Sequence, residues 1–343
     1  GDEAFADARK LNCPVLVNAG NWKTADDIYL NDAERYSYTA NDVIAVNRYF
    51  GGIHTGQYRG WAIVNGDMYK SDSVLTDSAL AFPLNLKQVE GAPTIMTESS
   101  WVFPNEYAAE GPFLVSVYSR LTGFDAYYWF SAHTEQWTQP RSANGFLPSQ
   151  QKWNCLTPDA AGQFPAAALA FRRGYVRRGD PVVEESRALH SMWAGRTPII
   201  AESSGFDPNR DAGDIAPDSS VKAGVDPYAF LAGAVTVAYD ADEKQTKVAD
   251  LGTLIEHVDG GVRVRSVTGQ VELNTAEGYC TVNAPKCQGV TAHFRNRQTF
   301  ELKDVTVESE NTHGAVMVVP LDDQPLAVSG RVLVQVGMPC RPT

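Results

Sequence analysis

The stretch Ala92-Pro-Thr-Ile-Met-Thr-Glu-Ser-Ser-Trp101 runs from a short, β-prone apolar segment, Thr94-Ile-Met96, into a carboxylate. Burial on both faces of a parallel strand selects such runs and excludes an unpaired charge. A glutamate just past the run marks a strand tip, where Glu98 can serve as a nucleophile at an anomeric carbon or as a general base. Ser99 and Ser100 offer hydroxyls that keep a carboxylate ionised, and the Trp101 indole offers a platform for a sugar ring. The plain structural alternative is a helix-capping or ion-paired glutamate.

Working outward, three more runs share this character. Pro14-Val-Leu-Val17 leads to Asn18, Asn21 and Trp22. Val43-Ile-Ala-Val46 leads to Asn47, Arg48 and Tyr49. Ala126-Tyr-Tyr-Trp129 leads to His133, with Trp137 close behind. Helix-like stretches separate them: Glu106 to Leu121, ending at Gly123, and Gln163 to Arg178, with Pro165 in the first turn and a stop at Gly179. Strands alternating with helices predict parallel βαβ units, whose strand tips line a site at the C-terminal edge of the sheet. A Tyr49 phenol at such a tip can orient Glu98. The amides of Asn18, Asn21 and Asn47 and the Arg48 guanidinium suit vicinal sugar hydroxyls. Trp22, Trp129, His133 and Trp137 add rings. Turn capping explains Asn18 as well, and core packing explains any single aromatic residue.

After Gly179 the pattern changes. Thr197–Ile200, Ala234–Ala238, Val262–Val267, Ala315–Val319 and Val332–Val336 read as strands closely punctuated by Gly, Asp, Asn and Pro. This half, residues 180–343, is expected to be an antiparallel sandwich or barrel. Residues 203–220 read as a long loop.

The bulk properties suit two domains in 343 residues. The net charge of -12 makes nucleic acid and anionic membrane poor partners. No apolar run reaches the roughly 18 residues of a membrane span. The five cysteines, Cys13, Cys155, Cys280, Cys287 and Cys340, show no zinc spacing. Cys280 and Cys287 flank a turn-like stretch and are either bridged or free; a bridge would favour an extracytoplasmic or secreted protein. The six histidines show no metal pair, and no phosphate loop or GxSxG elbow is present, so no metal or cofactor is expected.

Ala92–Trp101 resembles the seventh strand of clan A glycoside hydrolases, the retaining (β/α)8-barrel group. Asp42–Gly51 is similar to strand six, Phe124–Trp129 to strand eight and Cys13–Trp22 to strand five. The late runs from Gly314 to Gly337 resemble β-sandwich domains appended to such enzymes. The resemblance implies an α/β fold: residues 1–179 as the C-terminal half of a TIM barrel and 180–343 as an all-β sandwich domain. It makes Glu98 the nucleophile, Tyr49 its orienting partner and Trp129 the floor of the first sugar subsite. The clan's acid/base glutamate ends strand four, which has no counterpart here. The acid is then expected from an upstream segment, with the N-terminal half held beside this chain as a separate fragment or a second copy completing the barrel. The substrate class is a poly- or oligosaccharide, with a loose similarity to agarase- and β-galactosidase-like enzymes. A non-catalytic carbohydrate-binding or scaffold protein on the same fold is the alternative.

Overall fold

The computed structural model describes residues 10, 15–18, 28–52, 54–56, 62–63, 66–132, 150–151, 153, 155–203, 223–240, 242 and 244–338. Asn21, Trp22, His133, Trp137, Cys13 and Cys340 lie outside them.

The early strands are β1 (Ile44–Asn47), β2 (Gln88–Val89), β3 (Thr94–Ser99) and β4 (Ala126–Trp129). β3 lies between β1 and β4, parallel to both. Two apolar runs and the decisive stretch thus form one sheet, in the expected orientation. Residues 15–18 form no strand. Val17 instead exchanges backbone and side-chain hydrogen bonds with Asp42 (3.0 and 2.8 Å), just before β1 begins. Among the described residues no closed barrel forms.

The helices are α1 (Asn31–Tyr38), α2 (Glu110–Thr122) and α3 (Phe164–Arg173). α2 stops where expected: Gly123 takes a left-handed conformation (φ 89°) that favours glycine. It starts later than expected, because Asn105 forms a side-chain turn with the Tyr107 amide (2.9 Å) ahead of it. α3 ends earlier than expected, at Gly174 (φ 66°), which lets Tyr175 and Val176 enter the core. Arg172 and Arg173 occupy its last turn, whereas Arg177 and Arg178 lie beyond it.

A second sheet joins β5 (Val183–Ala188), β6 (Val235–Asp240) and β7 (Lys247–Val248) to β2, in the order β7-β5-β6-β2. β6 is parallel to β5 and β2; β7 is antiparallel to β5. The Ala234–Ala238 run, expected in an antiparallel domain, is therefore a parallel strand. Its apolar residues, Val235 and Val237, are buried as a parallel strand requires. Thr197–Ile200 is not a strand: a short helix, Leu189–Trp193, and a turn carry the chain to it.

The remaining strands are β8 (Ile255–Val258), β9 (Gly261–Arg265), β10 (Val271–Asn274), β11 (Tyr279–Ala284), β12 (Cys287–Ala292), β13 (Gly314–Pro320) and β14 (Val332–Gly337). They form a separate seven-stranded antiparallel sheet in sequence order. Helices α2 and α3 pack on it through β12, β13 and β14. A small hairpin, Thr299–Glu301 with Thr306–Glu308, covers a second core containing Phe294, Phe300, Val290 and Val316. The sheet thus packs on helices where a second full sheet was expected. The main core runs from Tyr38 to Val319 without a break between the parallel and antiparallel sheets.

In the β11–β12 hairpin, Cys280 pairs with Thr291 and Cys287 with Ala284, so the two thiols are not opposite each other. Cys155, Cys280 and Cys287 are free and buried. Burial pushes the Cys287 thiol up to about 12.

Candidate functional site

Glu98 sits at the C-terminal edge of the β1-β3-β4 sheet, at a bulge. Val46 pairs with Met96, but the next residue, Asn47, pairs with Glu98. Thr97 is the extra residue, and its hydroxyl donates to Asn47 Oδ1 (2.8 Å). Bulges re-aim side chains at strand ends. Here the bulge brings Glu98 to Tyr49, whose hydroxyl donates to Glu98 Oε2 at 2.8 Å. Glu98 is half-buried, and among the described residues no other side chain hydrogen-bonds its carboxylate. Among the described residues one oxygen is anchored and the other accepts no side-chain hydrogen bond.

Tyr49 is held rigidly. It is fully buried, and the ladder continues on both sides of it: Arg48 N–H donates to Glu98 O and Phe50 N–H to Ser100 O, both at 3.0 Å. Phe130 packs edge-on to Tyr49, with ring centroids 6.4 Å apart, and its amide donates to Ser99 O at 2.9 Å.

The other expected ligands take different places. Trp101 is only 4 % exposed, and its indole N–H donates to Glu110 Oε1 (2.9 Å). It packs tilted on Phe50 (5.1 Å), so it is a core residue and not a sugar platform. Trp129 turns toward the helices, 5.4 Å from Phe164 of α3 and 6.1 Å from Trp101. Its register partner is Ser99, not Glu98. The next residue, Phe130, 36 % exposed, is the one that packs on Tyr49. Asn47 is buried and engaged with Thr97. Arg48 is buried too, donating to Asn85 O (3.0 Å) and to Ser203 O and Oγ (2.6 and 3.1 Å). Asn18 is exposed beside Val17, at the opposite end of β1 from Glu98.

Beyond Arg48 lies an ionic cluster that the sequence reading missed. Lys87 Nζ contacts both Asp32 oxygens at 3.0 Å and Glu185 Oε2 at 2.9 Å. Arg187 Nε lies 3.2 Å from Asp32, and Arg35 lies 2.6 Å from Glu202. All six side chains are at most 5 % exposed. Among the described residues three carboxylates face three cations. Burial pushes the Asp32 carboxyl up, but Lys87, Arg35 and Arg187 together hold it below its ordinary value. The cluster ties α1 to the second sheet. Through Glu202 and Ser203 it also braces Arg48, next to Tyr49.

Among the described residues no group of three or more His, Cys, Asp or Glu side chains has a metal-binding arrangement. No described helix is long and apolar enough to cross a membrane.

What the fold defines is a mixed α/β protein with parallel sheets and a separate antiparallel sheet. No protein-family model, curated protein or solved structure matches the chain.

Proposed function

We propose that this chain carries the nucleophile side of a retaining glycoside hydrolase, on the C-terminal half of a (β/α)8 barrel with an appended β domain. The observation that carries this reading is the Tyr49–Glu98 hydrogen bond of 2.8 Å at the C-terminal edge of a parallel sheet. Glu98 attacks the anomeric carbon of a poly- or oligosaccharide through its unanchored oxygen and forms a glycosyl-enzyme. Tyr49 holds the carboxylate in line. Phe130 offers its ring to the sugar beside the nucleophile. Retaining chemistry needs a second carboxyl group about 5–5.5 Å away to protonate the leaving oxygen and later activate water. In this reading an upstream segment brings that acid, as a separate fragment of the same polypeptide or on a second copy.

A glycoside with an activated leaving group needs no acid for the first step. A 2-fluoro glycoside carrying dinitrophenolate should therefore label this chain alone, with one sugar on Glu98 by peptide mass mapping. Glu98→Gln should take no label. A label on another residue, or none across a panel of activated sugars, would sink the proposal and favour a glycan-binding role.

A further inference from the structure

Away from Glu98, the antiparallel sheet meets α2 through a cluster of titratable groups. Glu110, the first residue of α2, is fully buried. Its carboxylate accepts from Ser73 Oγ (2.6 Å), the Val74 amide (2.7 Å) and the Trp101 indole (2.9 Å). His293 follows β12 and His313 precedes β13; their ring centroids are 4.9 Å apart. Tyr107 packs edge-on to both, at 4.9 and 5.0 Å. His313 is 4 % exposed, with Nε2 3.7 Å from Glu110 Oε2 and neither ring nitrogen hydrogen-bonded. His293 Nε2 lies 3.1 Å from Ser73 Oγ.

We infer that His293, His313 and Glu110 form a proton-sensitive latch that holds the antiparallel sheet on the start of α2 and loosens in mild acid. The inference is independent of any role for Glu98. The Ser73 hydroxyl has one proton, and it goes to Glu110. The Ser73 oxygen must then accept from His293, which fixes neutral His293 as the Nε2–H tautomer. The charged and titratable groups facing His293 are His313, Glu110 and Glu106, with Tyr107 against its ring and Arg295 beyond Tyr107. A proton on His293 puts a charge in a partly buried site beside a second imidazole. Burial first, and then His313, hold His293 below its ordinary value, against the pull of Glu110 and Glu106.

The sign follows. The folded state holds this proton less tightly than the unfolded chain. The latch therefore gives its full stability above about pH 6.5, the unfolded value, and loses it as pH falls toward the folded value. Tyr107, Ser73 and Trp101 connect the same groups to the loop before α2 and to the end of β3. Loosening should therefore start at this seam.

The test is urea unfolding from pH 7.5 to 5, with amide exchange of β13 and the first turn of α2, on the wild type, His293→Gln and His313→Gln. Glutamine keeps a donor for Ser73 and cannot titrate. Corrected for the slower intrinsic exchange at lower pH, wild-type amide protection at the seam should fall on acidification, whereas His293→Gln should take up fewer protons than the wild type on unfolding. In His313→Gln the His293 titration, followed by imidazole NMR, should move upward. Unchanged proton uptake and exchange in His293→Gln would overturn the latch. If that variant does not fold, the wild-type imidazole signal decides: His293 half-charged at about pH 6.5 or above refutes it.

Discussion

Replacing Asp32 with Asn keeps the volume and removes one charge from the ionic cluster. Asp32 is the hub, with Lys87 at 3.0 Å, Arg187 at 3.2 Å and the Tyr239 hydroxyl at 3.3 Å. Among the described residues the change turns three anions and three cations into two and three, leaving one buried cation short of a counter-charge. Breaking a buried pair this way costs about 3–5 kcal/mol, or about two to three and a half orders of magnitude in the folding constant. Lys87→Met has the mirror effect and leaves one negative charge in excess. The double variant restores parity, with Arg35 and Arg187 facing Glu185 and Glu202. Its cost should fall short of the sum of the singles by about 1–3 kcal/mol. Urea midpoints at pH 7, with slopes checked for two-state behaviour, measure all three. The Asp32 carboxyl is held low, so its contribution is present above the ordinary carboxylate range and is lost only as pH falls through its folded value. The gap between wild type and Asp32→Asn should therefore be the same at pH 7 and pH 5. Additive singles, a cost under about 1 kcal/mol, or a gap that closes between pH 7 and 5 would each refute this account.

Tyr49→Phe removes the hydroxyl that donates to Glu98. It should lower kcat/KM, or the rate of labelling by the activated glycoside, by about 10- to 100-fold, the worth of a hydrogen bond to a charged acceptor. The thermal midpoint should barely change; an equal loss of fold and rate would make Tyr49 a packing residue only. Gly123→Ala places a Cβ at φ 89° and 2.5 Å from Arg178 Cζ. It should destabilise by about 1 kcal/mol or more, read from the urea midpoint; a neutral result would mean that the α2 cap relaxes freely.

The parallel strands were legible because Val43–Val46, Thr94–Met96 and Ala126–Trp129 are short and apolar, with polar residues beyond; β1 is buried on both faces, whereas β4 lies at the edge with Tyr128 58 % exposed. The same pattern misled at the Pro14–Val17 run, whose described residues, 15–17, form no strand and reach the chain just before β1 through Val17. Ala234–Ala238 was legible as a strand but not in its direction. Its neighbours β5 and β2 are distant in sequence, and pairing over such distances leaves no local trace. The ionic cluster was hidden for a related reason. Asp32, Lys87, Glu185 and Glu202 each look like solvated charges, and only the fold brings them together.

The site shows where sequence reading stops. Spacing suggested that Tyr49 and Glu98 meet, and they do, but the geometry depends on the bulge at Thr97, which the sequence does not signal. The bulge also decides which aromatic residue reaches Tyr49. With two residues of β3, Thr97 and Glu98, spanning one of β4, Ser99 falls opposite Trp129. Trp129 turns into the helix layer, and Phe130 comes to Tyr49. An unbulged β3 would shift the pairing by one residue and place the opposite side chain on this face. Deleting Thr97 would therefore break the Tyr49–Glu98 contact more surely than substitution of any polar residue nearby. Arg48 and Asn47 hold the backbone around that contact. They keep β1 and β3 in the register that brings the Tyr49 hydroxyl to one Glu98 oxygen.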